Sequence, residues 1–248
     1  MSQQGRAARP VPILALALVL AGCATAEDPD PWEPVNRAIF GFNEVADRAV
    51  LTPVSRGYRA VVPEPVRDSV SNFLNNLREP THFVNLALQG EREGFGTSVG
   101  RFVINTTLGV GGLFDAASAF GYQKQETRFG TTLQKWGVGP GPYVVLPLFG
   151  PDVVRGAVGR LPDMTLNPTF YLSSDWPWIT QNVMEGVDFH VQNMDAIEDL
   201  RRGSVDMYAT VRSIYLQRLG AEIAGSGSDA IARFGRTISL RRAIDLAS

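Results

Sequence analysis

One cysteine, Cys23, sets the terms on which this chain can fold. A lone thiol permits no intramolecular disulfide, no cysteine-based zinc site and no Cys–His dyad in the mature protein. The fold must therefore be held by its own packing, and a mature length of about 225 residues is enough for that, in one domain or at most two. The cysteine also ends the run Leu20-Ala21-Gly22-Cys23, where small residues precede it as in a bacterial lipobox. Upstream, Arg6 and Arg9 supply a cationic n-region and Val11 to Ala21 an apolar h-region. At ~1.5 Å per residue the h-region reaches only about half of a ~30 Å hydrocarbon core, too short for a spanning helix. Residues 1–22 are thus expected to be removed as a lipoprotein signal peptide and Cys23 to carry the acyl chains. Each buried CH₂ contributes roughly 0.8 kcal/mol, so two or three chains hold where one would not. Ala24, rather than Asp, follows the cysteine, which directs the expectation to the inner leaflet of the outer membrane.

Removing Arg6 and Arg9 from the 23 basic side chains leaves 21 against 25 acidic ones, a formal charge of −4. Such a surface is no polyphosphate binder, and nucleic acid is not an expected partner.

Residues 23–30 read as a short polar tether in which Asp28 and Asp30 are solvated charges and Pro29 and Pro31 bar a helix. From there Val35, Ile39, Phe42, Ala46 and Ala49 fall on one helical stripe. Pro53 and Pro63-Glu64-Pro65 punctuate the next stretch. A long pattern from Glu64 passes through Val70, Phe73, Leu74 and Leu77 and is expected to stop at Pro80. Thr81 would then cap a shorter helix ended by Gly90. Another helix is expected from about Glu91 to Thr106, with Gly94, Gly96 and Gly100 letting a neighbouring backbone come close.

The middle is dense in glycine and proline. There Arg128–Leu133 and Tyr143–Leu146 read as two short strands, with Gly137-Val138-Gly139-Pro140-Gly141-Pro142 as the hairpin turn between them. Helical patterning returns over Trp176–Leu200 and Val205–Ala224. Residues 223–248 contain a Gly/Ser linker and then arginines interleaved with apolar residues, which reads as a disordered tail or an interfacial basic helix. No mature segment offers eighteen uninterrupted apolar residues, so the stripes fit either an ordinary core or helices lying in a membrane plane.

Gly96-Thr97-Ser98-Val99-Gly100 matches the Gly-x-Ser-x-Gly nucleophile pattern, which works only on a strained strand-to-helix turn. The preceding Glu91–Phe95 reads as helix, not strand, so Ser98 is a weak nucleophile candidate. The two histidines, His82 and His190, lack metal-site spacing, and the glycine-rich runs lack the Lys-Ser/Thr pair of a phosphate loop. No catalytic constellation, metal or cofactor is called for.

The region from Asp30 to Leu219 resembles the MlaA/VacJ family of outer-membrane lipoproteins. The resemblance rests on Asp30-Pro31-Trp32-Glu33-Pro34 and Phe40-Gly41-Phe42-Asn43, then Ser71-Asn72-Phe73-Leu74 with Arg78-Glu79-Pro80, and Leu88-Gln89-Gly90. It continues through Asn105-Thr106-Thr107-Leu108-Gly109, Gly141-Pro142-Tyr143, Leu146-Pro147 and Tyr215-Leu216-Gln217-Arg218. After the hairpin, Asp152, Arg155 and Gly156 depart from the family's usual residues, which leaves the local contacts of that turn open.

The resemblance implies a mainly α, ring-like monotopic domain over residues 31–222, with one glycine-rich hairpin near a central channel. It implies retrograde transport of misplaced phospholipid to a soluble periplasmic carrier, with trimeric porins as further partners and no enzymatic step. On that basis Phe40, Phe42 and Asn43 are candidates for an embedded rim, or plain core. Arg128 and Lys135 are candidates to guide a phosphate head, or solvated charges. Gly137, Gly139 and Gly141, leading into Tyr143, are hinge candidates, or an ordinary turn. A docking lipoprotein that transports nothing, and a lipid hydrolase using Ser98, are the alternatives.

Overall fold

The computed structural model describes residues 30–172, 174 and 176–223. The expected signal peptide and tether, with Cys23 between them, and the tail from residue 224 lie outside the described residues.

Helix α1 (Glu33–Ala46) begins with Pro34 in its first turn and Glu33 at the positive end of its dipole. It passes through one widened turn, Asp47–Leu51, in which the Thr52 N–H reaches back five residues to the Asp47 carbonyl. Pro53, with no N–H to give, follows at once, and the chain continues as α2 (Thr52–Val61).

Helix α3 (Glu64–Leu88) runs straight through Pro80, where the sequence pattern predicts a stop. The reason is tertiary. Glu79 and Thr81, on either side of the proline, are both buried, and Glu79 is tied to Ser98 and Arg101 of α4 (Arg92–Thr107). That packing outweighs the roughly 3 kcal/mol that an interior proline costs a helix. Gly90, at φ +74°, turns the chain from α3 into α4, its N–H and that of Glu91 closing on the Ala87 and Leu86 carbonyls.

After the short α5 (Ala116–Ala119), residues Phe129–Lys135 form helix α6 rather than a strand. Both oxygens of Asp163 accept from the Phe129 N–H, at 3.0 and 3.1 Å, which anchors the helix start. A Cβ on Gly159 would lie 2.5 Å from the Gly130 nitrogen, so α6 and α7 (Val154–Leu166) cross backbone to backbone. The hairpin consequently lies one segment further on than the sequence pattern predicts. It pairs β1 (Tyr143–Leu146) with β2 (Gly150–Val153), Tyr143 opposite Val153 and Leu146 opposite Gly150. The Gly137–Pro142 run is the connection from α6 to β1, not the turn of the hairpin. A 3₁₀ turn (Pro168–Tyr171) leads towards α8 (Trp176–Gly203), and α9 (Met207–Ile223) completes the described chain.

Helices α3 and α8 lie antiparallel in a seven-residue register. Gln192 Nε2 donates to Ser71 Oγ at 3.1 Å, and two turns along both helices Arg78 Nε donates to Glu185 Oε1 at 2.7 Å. Gly94 and Gly100 on α4 make room for the side chains of Leu86 and Tyr122, not for a neighbouring backbone, and Gly96 faces open space.

The apolar stripe of α1 is split: Ile39 packs on the core cluster, while Val35 and Phe42 face outward. Val35 and Phe42 are 59% and 55% exposed, whereas Asn36 is 3% exposed and Asn43 half-buried. Asn36, Phe40, Asn43 and Asp47, at i, i+4, i+7 and i+11, form the inward face. Helix α4 repeats the inversion: Ser98, Arg101 and Asn105 are buried while Phe95 and Val103 are exposed. Among the described residues, buried polar and charged side chains outnumber buried apolar ones. No described helix is long and apolar enough to cross a membrane.

Candidate functional site

The hairpin sits between the inward face of α1 and one face of α9. Asn36 Nδ2 donates to the Tyr143 carbonyl at 3.0 Å, and its Oδ1 accepts from the Val145 N–H at 2.9 Å. Asn43 repeats this with the Leu146 carbonyl at 2.9 Å and the Leu148 N–H at 2.8 Å. Each side-chain amide thus stands in for the neighbouring strand that β1 lacks on this edge. The sequence marks Asn43 as a candidate for the embedded rim and gives Asn36 no such role, although their seven-residue spacing places both on one helix face.

Tyr143 is fully buried and anchors the core, its ring packed edge-on against Tyr208 (6.3 Å) and Tyr215 (5.8 Å) of α9. Phe40 joins this cluster through Tyr208 at 5.6 Å, so it is core, while Phe42 points out. The two α9 tyrosines end on carboxylates. Tyr208 donates to Asp30, which also accepts from Asn36 at 2.7 Å and Arg212 at 2.9 Å. Asp30 is 3% exposed, and the sequence reading of it as a solvated tether charge is corrected: a tyrosine, an asparagine and an arginine satisfy it.

Tyr215 donates to Asp152 at 3.0 Å, and Asp152 further accepts from Arg160 and from the Val153 N–H. Burial, and then the Asp152 charge, push the Tyr215 hydroxyl up to about 12. Tyr208 and Tyr143 are also raised, each by burial first. The position where the family pattern departs is therefore filled by a buried carboxylate with its own partners.

Arg128 lies 3.7 Å from Asp152, and Lys135 pairs with Glu91, so neither is a free cation. The glycine run is pinned rather than loose. Arg155 donates to the Val138 carbonyl (2.8 Å) and to Gln134 (2.7 Å), and its N–H reaches Pro140 O. Gly137 and Gly141 adopt φ of +88° and +70°, which glycine accepts without cost, whereas Gly139 does not need the left-handed region.

Ser98 lies inside α4, fully buried, and donates to Glu79. A hydroxyl in mid-helix has neither the strained turn nor the access that a nucleophile elbow provides. Among the described residues no cluster of His, Cys, Asp and Glu is arranged to hold a metal.

Comparison with known proteins bears on the same residues. The model of the MlaA lipoprotein family matches residues 28–222. The intermembrane phospholipid transport system lipoprotein MlaA of Escherichia coli strain K12 is 38% identical over 217 residues, covering 82% of this chain and 85% of that one. The protein of the same name from Haemophilus influenzae is 34% identical over 214 residues, with the same shares covered. A solved structure described as the structural basis for maintenance of bacterial outer membrane lipid asymmetry superposes with a TM-score of 0.69 at 39% identity. It covers 76% of this chain and 96% of that one.

Proposed function

The chain belongs to the MlaA lipoprotein family, and from that membership we propose that it carries phospholipid between membranes as an outer-membrane lipoprotein. It takes phospholipids misplaced in the outer leaflet of the outer membrane and passes them to a soluble periplasmic carrier, which maintains lipid asymmetry. Cys23 anchors it to the inner leaflet, and trimeric porins are its membrane neighbours.

The observation that carries this reading is the polarity of α1 and α4, which turn Val35, Phe42, Phe95 and Val103 outward and Asn36, Ser98, Arg101 and Asn105 inward. A phospholipid with about thirty methylenes costs roughly 25 kcal/mol to pull bare into water, at ~0.8 per CH₂. A carrier of such a molecule must keep its tails in apolar surroundings while its head follows a polar path. Apolar helix faces turned to hydrocarbon, around an interior of asparagines, carboxylates and arginines, meet both demands. The element that opens and closes the path is the glycine run beside the hairpin, which moves once Arg155 lets go of Val138, Gln134 and Pro140. No covalent step is asked of the protein.

The test is the amount of phospholipid exposed on the surface of cells lacking the protein, with wild type or Cys23→Ala supplied back. A rise on deletion that only the anchored form reverses is expected. No change in any strain would overturn the transport reading in favour of a docking role.

A further inference from the structure

The interior is one in which arginines have partners, and this makes Arg67 an exception. Arg101, Arg128, Arg155, Arg160, Arg201 and Arg212 all meet carboxylates, amides or carbonyls. Arg67, in the first turns of α3, is half-buried, and its Nε is shut off from solvent with no acceptor among the described residues. A guanidinium N–H in that position costs free energy until an acceptor reaches it.

Tyr58, near the end of α2, is the companion group. Its hydroxyl is likewise buried and unpartnered among the described residues, and it feels the charges of both Arg67 and Asp188. Asp188 on α8 accepts from Gln192 Nε2 at 2.8 Å through one of its two oxygens. Two donors left unmet among the described residues therefore belong to neighbouring elements, Tyr58 on α2 and Arg67 on α3, close enough for the phenol to feel the arginine's charge. The α2–α3 elbow around them is apolar and open: Val54, Val61 and Val66 are all exposed, Val61 at 81%.

An unmet guanidinium N–H beside an exposed apolar strip fits an amphiphile with an anionic head. We propose that Arg67 and Tyr58 form a binding station for the phosphate of a phospholipid headgroup, with its acyl chains lying along Val54, Val61 and Val66. The planar guanidinium offers Nε and Nη donors in the geometry a phosphate accepts, and the phenol adds a third bond. The station rests on the transport reading and adds to it a place where the head pauses.

The experiment uses the full lipidated protein in detergent and three probes: a short-chain phosphatidylglycerol below its micelle concentration, the matching diacylglycerol, and inorganic phosphate. Wild type is expected to bind the phosphatidylglycerol at least tenfold more tightly than either of the others. Arg67→Gln is expected to lose about tenfold in that affinity, equivalent to roughly 1.4 kcal/mol. Arg67→Lys should recover part of it, and Tyr58→Phe should lose less. Unchanged affinity in Arg67→Gln, with an unaltered thermal melt, overturns the station. Inorganic phosphate binding as tightly as the lipid overturns the headgroup assignment. Neither result touches the deletion experiment on cell-surface phospholipid, so the two readings fail separately.

Discussion

Asn36 and Asn43 stand two helical turns apart, and their grips on the backbone between Tyr143 and Leu148 repeat three residues apart. Seven helical residues rise about 10.5 Å and three strand residues about 10 Å, so the same amide contact repeats without distortion. Removing one grip should therefore leave the other in place. Asn43→Ala should cost about 1–2 kcal/mol and raise hydrogen exchange at Leu148 and Phe149 while β1 stays protected. Asn36→Ala, which also strips a donor from buried Asp30, should cost about 3 kcal/mol and expose the whole hairpin. Equal effects of the two substitutions would show that the grips act as one unit.

The glycine run makes a position-specific prediction. Gly137→Ala and Gly141→Ala force a side chain into the left-handed region and should each cost about 1 kcal/mol, Gly141 more, because its Cβ would lie 3.1 Å from Val154 Cβ. Gly139→Ala has open space and no such backbone demand, and should melt like wild type. If the run is the moving part of the lipid path, Gly139→Pro should lower transport without unfolding the protein, whereas Gly137, at φ +88° and with its N–H bonded to the Gln134 carbonyl, cannot take proline.

Ser98→Ala separates a structural hydroxyl from a nucleophile. It should leave transport intact and cost about 1–2 kcal/mol, since Glu79 keeps Arg101 at 3.1 Å. Arg101→Met strands the buried Glu79 charge and should cost roughly 3–5 kcal/mol. Loss of all activity in Ser98→Ala would revive the hydrolase alternative.

Two ends of the pH scale probe the α9 attachments. Asp206 is lowered to about 2 by its hydrogen bond from Arg37 and then from the Ala209 N–H. Its contribution is present above about pH 3.8 and fades as pH falls towards 2; a carboxyl titration by NMR should find that midpoint, and Arg37→Gln should return it towards the usual range. Tyr215, raised to about 12, works in the opposite sense. Its contribution holds below pH 10 and is lost as pH climbs towards 12, so ultraviolet titration should show late-ionising tyrosines that Tyr215→Phe reduces.

How much of this was legible in the sequence differs by residue. The α1 periodicity was plain, but a stripe of Val35, Ile39 and Phe42 has the same spacing whether it faces a core or a membrane, so its direction was not. Pro80 obeyed a local rule that Glu79's buried contacts override, and no neighbour in sequence announces those contacts. Arg128–Leu133 carried strand-like residues, yet its fate was decided by Gly130 meeting Gly156 and Gly159 more than twenty-five residues away. Asp30 looked solvated because its partners, Tyr208 and Arg212, lie almost the whole chain away. The pairing of Tyr143 with α9 was invisible for the same reason.

That last separation has a bearing on how the protein is made. Asp30 cannot be satisfied until Tyr208 and Arg212 have been synthesised, and β1 lacks its α9 neighbours until then. Contacts this distant in sequence form late and slowly. Asp30 is thus fastened across the length of the domain, and a chain truncated before α9 should remain an unclosed intermediate in which Asp30 lacks its two long-range partners.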